Sequence, residues 1–299
     1  MICDPHEDFL TIIRSYNPDP KKPLAVVRRE FSAFYEEFQE IAGEPPELER
    51  VEISPGVIGY WISVRESVTD RVVLFFHSGG FTLGSTQDHL GFCTRIARAA
   101  RARVFSVDYR LAPEHPFPAP VADAIEAYTH LLAHGYLPHR ILPAGLSSGG
   151  TLVLDLLLSA RDKSLRLPQA GICLSPATDM LFCGESVTKN RDLDWVTAAR
   201  LDSMRTVYLT GHDPHDPLAS PMYARLNGLP KLYIQAGSHE LMFDGIGSFV
   251  DKARWAGVPV QFEVWEGMFH NWQLFANQIP EAREAIDRIG VFARDVLSR

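Results

Sequence analysis

Cysteine is scarce in this sequence, and none of its cysteines has the spacing of a zinc ligand set. The 299 residues include four, Cys3, Cys93, Cys173 and Cys183, with no C-x-x-C pair among them. Disulfide frameworks and zinc sites draw on closely spaced cysteines, so neither is expected to organise this fold. We expect buried free thiols instead.

Long apolar runs are also missing. The most apolar helix candidate, TLVLDLLLSA, is interrupted by Asp155 and is shorter than the roughly 18 residues that cross a bilayer. The N-terminal stretch MICDPHEDFL carries Asp4, Glu7 and Asp8 where a secretion signal would need positive charge and then an apolar run. These features predict a cytoplasmic protein without a membrane span.

The chain has no excess of positive charge. Its formal net charge is -8, so neither nucleic acid nor an anionic membrane would be attracted to its surface. Because 46% of the residues are hydrophobic and 22% are charged, the composition is that of an ordinary globular protein with a sizeable core. A small molecule is therefore the expected partner.

The pattern of apolar residues changes along the chain. Up to about residue 45 it is helical, with a stripe formed by Phe31, Phe34, Tyr35, Phe38 and Ile41. The segments VEIS and VIGYWISV then predict a hairpin around a Pro-Gly turn. Six apolar segments with helical stretches between them follow, at 72–76, 103–108, 140–145, 170–175, 232–237 and 260–265. Such alternation predicts an α/β fold with a mostly parallel sheet between helices, and the long interval 180–229 predicts an inserted element.

One segment has the pattern of a nucleophile. The stretch GLSSG fits G-x-S-x-G with Ser147 at its centre, between the strand predicted at 140–145 and a helix predicted at 148–160. Glycines two residues to either side allow a strained turn that presents the serine hydroxyl at the sheet edge. Ser148 does not fit, because Leu146 occupies its upstream glycine position. The alternative is a plain glycine-rich turn.

A serine nucleophile needs a base, and the intermediate it forms needs donors for its oxyanion. The segment HSGGF, residues 77–81, follows the strand predicted at 72–76 and could aim backbone N–H groups at a developing negative charge. It could equally be a tight turn. Two histidine pairs, His130 with His134 and His212 with His215 beside Asp213 and Asp216, raise the question of a metal, but without a third ligand a solvated surface is the default.

Several motifs in the same order resemble those of the hormone-sensitive-lipase-like (family IV) esterases of the α/β-hydrolase fold. They are HSGGF, DYRLAPEHPFPAP, GLSSGG, DPLASPMYARLNGLP, AGSHELMFDG and GMFHNW. The resemblance covers nearly the whole chain from about residue 50. It implies a single α/β-hydrolase domain over 1–299, with a helical cap formed by about 1–45 and 180–215.

The resemblance also implies an oxyanion hole made of the N–H groups of Gly79, Gly80 and Ser148. Two residues depart from the family pattern. Ser78 replaces the first glycine of H-G-G-G, and Leu146 replaces the aspartate that usually precedes the nucleophile. Backbone donors survive both changes, but the hydrogen bonds of that aspartate do not.

His270 lies in a loop after the last strand, where the chain order of an α/β-hydrolase places the general base. The acid is expected after the strand 232–237, and Glu240 and Asp244 are both candidates, with Asp179 a more remote one. Relatives usually open a D-P-L-x-D stretch with the acid, and Glu240 aligns with that position. We therefore prefer Glu240 and interpret Asp244 as a helix cap.

The resulting hypothesis is a serine carboxylesterase that acts on short- to medium-chain acyl esters without a metal or an organic cofactor. Four aromatic residues are candidates for pocket lining under the implied cap: Phe34, Phe38, Phe81 and Trp195. A lactonase or a deacetylase would use the same chemistry. A non-catalytic small-molecule receptor is the alternative from another class, and a homodimer is one possible state of assembly.

Overall fold

The computed structural model describes residues 7–16, 22–41 and 43–298. The first elements are two helices, α1 (Glu7–Ser15) and α2 (Leu24–Glu36), followed by the antiparallel strands β1 (Glu47–Ser54) and β2 (Val57–Ser63). The predicted hairpin is confirmed. Cys3 and Asp4 lie outside the described residues.

Strands and helices alternate after the hairpin, as the apolar pattern predicts. The elements are β3 (Val68–Phe76), α3 (Leu90–Ala100), β4 (Ala102–Asp108), α4 (Ala119–Ala133), β5 (Ile141–Leu146), α5 (Ser148–Asp162), β6 (Ala170–Leu174), α6 (Ser186–Lys189), α7 (Ala198–Leu209), β7 (Lys231–Gly237), α8 (Phe243–Trp255), β8 (Val260–Trp265) and α9 (Pro280–Leu297). The long interval between β6 and β7 carries α6, α7 and a short 3-10 turn over Pro221–Tyr223.

The eight strands of the described residues form one sheet in the order β1-β2-β4-β3-β5-β6-β7-β8. The pairs from β4 to β8 are parallel, and β2 is antiparallel to both of its neighbours. The carboxyl ends of β3, β5, β7 and β8 therefore meet along one edge. In open α/β sheets ligands bind outside this edge.

The sheet separates two hydrophobic cores. Along β3, Leu74 and Phe76 face the core that contains α4, α5 and α8, whereas Val73 and Phe75 face the core that contains α3 and α9. Both faces of the central strands are covered, which explains why β5 and β6 are continuous apolar runs instead of alternating ones. The predicted α/β-hydrolase fold is confirmed.

Two details differ from the sequence-based expectations. The aromatic stripe outlasts its helix: α2 ends at Glu36, and Phe38 continues the chain in a tight turn whose N–H donates to Tyr35 O at 2.9 Å. Phe38 still reaches the core, because that turn keeps its ring on the buried side. Cys93 and Cys173 are buried as expected, but Cys183 is exposed.

None of the helices in the described ranges is long and apolar enough to span a membrane.

Candidate active site

Ser147 lies at the turn between β5 and α5, in a conformation that glycines on both sides make possible. Its backbone has φ +53° and ψ -118°, outside the regions that serine usually adopts. A Cβ on Gly149 would lie 2.0 Å from Phe76 O, and a Cβ on Gly145 would lie 2.2 Å from Gly149 O. A side chain at 149 would push the turn away from β3 and one at 145 would push β5 away from the start of α5, so the G-x-S-x-G spacing is a steric requirement here.

Leu146, which the sequence left unexplained, ends β5 with its side chain fully buried. It belongs to the core on the α9 side of the sheet and pairs with Leu174 on β6. Position 146 is therefore a packing position in this chain. The apolar side chain suits that environment, because an aspartate there would need hydrogen-bond partners.

The structure brings Ser147, His270 and Glu240 together. His270 Nε2 lies 2.9 Å from Ser147 Oγ, and His270 Nδ1 lies 3.0 Å from Glu240 Oε2. All three side chains are buried. A carboxylate accepts the Nδ1 hydrogen, which leaves Nε2 with a lone pair for the serine hydroxyl.

Hydrogen bonds fix the carboxylate of Glu240 in place. Its Oε1 accepts from the Ser175 hydroxyl at 2.8 Å and from Gly237 N–H at 2.6 Å, which leaves Oε2 for His270. Because these donors compensate the lost water, a fully buried carboxylate is tolerated.

The other two acid candidates lie elsewhere. Asp244 accepts from the backbone N–H of Ser186 at 2.8 Å, so its carboxylate caps α6 and not the helix α8 that contains it. This corrects the expectation that Asp244 caps its own helix, and the correction arises because the insertion brings Ser186 beside α8. Asp179 accepts from Leu181 N–H within its own turn.

The HSGGF segment forms a turn beside Ser147. Gly80 N–H donates to the Ser148 hydroxyl at 3.1 Å. Gly79 N–H has no acceptor within the described part of the chain, and Ser148 N–H, at the start of α5, has no carbonyl one turn back in the helix. Gly79 N–H and Ser148 N–H are therefore free donors among the described residues, and Gly80 N–H is a third donor, which is shared with the Ser148 hydroxyl.

Ser78, the departure from H-G-G-G, ties this turn to a buried histidine. The Ser78 hydroxyl lies 2.8 Å from His89 Nε2, and His89 Nδ1 donates to Ser85 O at 2.9 Å. Burial lowers the pKa of His89 to about 4, so the ring is neutral and Nε2 accepts from Ser78. His77 is also buried, and burial lowers its pKa to about 4.

Tyr109, from the DYRLAPEHPFPAP motif, contacts the turn of the HSGGF segment and stabilises it. Its hydroxyl donates to His77 O at 2.9 Å and lies 3.5 Å from Ser148 Oγ, while its ring stacks on that of His77 with centroids 4.2 Å apart. Burial raises the pKa of Tyr109, so the phenol stays protonated.

One carboxylate that the sequence analysis did not single out lies between the loops that carry Glu240 and His270. Asp194 Oδ2 accepts from Leu241 N–H at 2.9 Å, and Asp194 Oδ1 accepts from His270 N–H at 3.0 Å. Burial raises the pKa of Asp194 to about 6, despite the opposing effect of His270. The neighbouring Trp195 donates its indole N–H to His270 O at 2.7 Å. Asp194 lies in the inserted interval 180–229. No local sequence pattern there indicates that its side chain contacts the loops that carry Glu240 and His270.

The four candidates for pocket lining have different surroundings. Phe34 is half-buried, stacks on Tyr16 at 4.7 Å and lies 6.4 Å from Trp195. Phe38 and Trp195 are buried next to this group. Phe81 does not line open space: it is fully buried, and its ring stacks on that of Tyr208 with centroids 3.7 Å apart. The left-handed backbone of Phe81 turns its ring into the core.

The histidine pairs lie apart from this site. His134 Nδ1 donates to His130 O on α4, and His215 pairs with Asp213 at 2.9 Å on an exposed loop. Across the described residues, no three histidine, cysteine or acidic side chains come together as a metal ligand set.

Comparisons with known proteins place this arrangement in a family. A family model for the alpha/beta hydrolase fold matches residues 73–274. A solved structure of an esterase from the bacterial hormone-sensitive lipase (HSL) family is 42% identical, with a TM-score of 0.92 and 97% of each chain covered. The chain belongs to the bacterial HSL family. The family resemblance of the motifs is thereby confirmed.

Named relatives of this HSL-family chain come from bacteria. The acetyl-hydrolase of Streptomyces hygroscopicus is 42% identical over 226 residues, which are 75% of this chain and 75% of the relative. The esterase of Acinetobacter venetianus is 35% identical over 254 residues, covering 83% of this chain and 84% of the relative.

Proposed function

We propose that this chain is a carboxylic ester hydrolase that works through an acyl-enzyme on Ser147. One observation carries the proposal: a single buried imidazole bridges Ser147 Oγ at 2.9 Å and Glu240 Oε2 at 3.0 Å. Nucleophile, base and orienting acid are thus connected in the geometry that acyl transfer requires. The esterase and acetyl-hydrolase names of the relatives support the same reaction class.

In the first half-reaction, His270 Nε2 takes the hydroxyl proton of Ser147 as Oγ attacks the ester carbonyl carbon. The carbonyl π electrons move onto oxygen, and the N–H groups of Gly79, Gly80 and Ser148 stabilise the resulting oxyanion. When the intermediate collapses, the C–O bond to the alcohol breaks. The alcohol leaves with the proton from His270.

In the second half-reaction, a water molecule replaces the alcohol. His270 takes a proton from this water as its oxygen attacks the acyl carbon, and Ser147 Oγ leaves and recovers that proton. Glu240 accepts the Nδ1 hydrogen of His270 in both half-reactions, which orients the imidazole and stabilises the imidazolium. No step requires a metal or an organic cofactor.

We also propose that about 1–45 and 180–215 form a cap over this site within a single domain. Within the described part of these segments, Phe34 approaches Trp195, and Trp195 donates to the main chain of His270. Short- to medium-chain acyl groups are the proposed substrates of a pocket beside Phe34. The acetyl-hydrolase relative favours the short end of that range, which keeps deacetylation of a specific metabolite as the second candidate.

A homodimer is one proposed state of assembly, and the cytoplasmic location stays a prediction. β8 is an edge strand with a half-exposed Val264, and such edges offer unpaired backbone groups to a partner. Light scattering on the purified protein tests the assembly, and cell fractionation tests the location.

Two adjacent serine variants test the proposed function. Ser147→Ala should lower kcat for p-nitrophenyl acetate by about 10³-fold or more, because the nucleophile is lost. Ser148→Ala keeps the backbone donor and removes one hydrogen bond to Gly80 N–H, so a loss of no more than about tenfold is expected. Equal losses in the two variants would contradict the assignment of Ser147.

A further inference from the structure

Asp194 belongs to the inserted interval, yet its carboxylate contacts the two loops that carry Glu240 and His270. It is 3% exposed and accepts backbone N–H groups at 2.9 Å from Leu241 and at 3.0 Å from His270. One of these donors follows Glu240 directly, and the other belongs to the base itself. A single side chain therefore links both loops.

The position of Asp194 is itself fixed from several sides. Its Oδ1 also accepts from Trp195 N–H at 2.8 Å, and its main-chain carbonyl accepts from Arg14 Nε on α1 at 3.1 Å. Nearby, Asn190 donates to the carbonyls of Ser238 and Glu240, both at 2.9 Å. The segment from Asn190 to Trp195 is thus a rigid support for the acid loop.

The charge of Asp194 adds an electrostatic effect to this support. Its carboxylate is buried near His270 and Glu240, and Arg14 donates to the main-chain carbonyl of Asp194. Charges in a water-excluded site interact more strongly than at the surface. A second carboxylate in this buried group therefore stabilises the positive charge that His270 gains during catalysis.

We infer that Asp194 is a positioning residue of this esterase: its carboxylate holds the Glu240 and His270 loops in register and places a second negative charge beside the imidazolium. The inference rests on the proposed function. A positioning residue does not contact the substrate. A change at Asp194 should therefore alter kcat and leave KM nearly unchanged. It also gives the insertion a part in catalysis beyond covering the pocket.

The test compares Asp194→Asn with Asp244→Asn. Both changes remove a carboxylate that links the insertion to another part of the chain through backbone N–H groups, but Asp244 accepts from Ser186 and does not contact the loop of His270. The number of active sites in each preparation is first measured by titration with a fluorophosphonate, so that misfolded protein does not count. Kinetics on p-nitrophenyl acetate are then recorded between pH 5 and 9.

Asp194→Asn should lower kcat per active site by about 10- to 100-fold with little change in KM, because the transition state loses support. The acid limb of its kcat/KM profile should move to lower pH, since one negative charge near the base is gone. Asp244→Asn should keep both the rate and the acid limb of the unmodified enzyme. A purely structural role for Asp194 would reduce active sites or stability without moving the acid limb.

A second measurement covers the case in which Asp194→Asn does not fold. In the unmodified enzyme, peptides that contain Leu241 and His270 should lose protection against hydrogen exchange together as Asp194 becomes protonated below about pH 6. Unchanged protection in both peptides, or an unmoved acid limb in the variant, would overturn the inference. Activity that survives Ser147→Ala would instead overturn the proposed function, so the two failures are distinguishable.

Discussion

At the scale of single residues, Ser147 adopts a backbone conformation that costs of order 1–3 kcal/mol in a residue other than glycine. The cost is tolerated because Gly145 lets β5 approach the start of α5, and Gly149 lets α5 approach β3. The position that results holds Oγ 2.9 Å from His270 Nε2. The glycines of G-x-S-x-G thus permit the strained turn, and the strained turn places the serine hydroxyl within hydrogen-bond distance of His270.

The acid assignment is a prediction at this scale. Glu240→Gln should lower kcat by about 10³-fold or more, because the amide cannot hold the imidazole in the required tautomer or stabilise its positive charge. Asp244→Asn serves as the control and should lose less than about twofold in kcat, since its carboxylate caps α6. Rates on p-nitrophenyl acetate decide the matter, and the reverse ranking would assign the role to Asp244.

At the scale of elements, α5 carries an unusual residue in its buried middle. Both carboxyl oxygens of Asp155 are buried without a hydrogen-bond partner among the described residues. Burial, helped by the charge of Asp216, raises the pKa of Asp155 well above its ordinary value of 3.8. The folded state therefore keeps a proton that the unfolded chain releases.

This proton makes stability depend on pH. Above about pH 4 the native state binds more protons than the unfolded state at this position, so the free energy of unfolding falls as the pH rises. Asp155→Asn removes this titrating group. Above about pH 4, the free energy of unfolding of the variant should therefore rise relative to that of the unmodified protein by up to about 1.4 kcal/mol per pH unit. Urea unfolding of both proteins at pH 5 and pH 8 measures the difference. A difference that stays constant between the two pH values would refute the prediction.

At the scale of the whole molecule, the sheet and the chemistry at its edge could be predicted to different extents. The strand pattern was sufficient to predict the sheet. The order of the motifs GLSSGG, HELMFD and GMFHNW made Ser147, Glu240 and His270 candidates, because parallel strands end at the same edge of a sheet. The role inferred for Asp194 could not be predicted, because it depends on how a long insertion folds back over two loops. The surroundings of Phe81 could not be predicted either, because its burial against Tyr208 depends on the folding of the same insertion.

The proposed cap gives a prediction for the molecule as a whole. If Phe34 lines the acyl pocket, Phe34→Ala should raise kcat/KM for p-nitrophenyl octanoate relative to the acetate by about tenfold or more, because each methylene gains room. Phe31→Ala is the matched control on α2: its ring is 4% exposed, so the change should lower the melting temperature without altering that ratio. Equal ratios in both variants would mean that Phe34 is core packing.

The most direct test of the central claim is covalent labelling of the intact protein with a fluorophosphonate, followed by mass spectrometry of its peptides. One phosphonyl group is expected on the peptide that contains the elbow, bonded to Ser147 Oγ, and no labelling of Ser147→Ala. A catalytically inactive receptor would not react at all. The absence of any adduct on the unmodified protein, or an adduct on Ser148, would contradict the role of Ser147 as nucleophile.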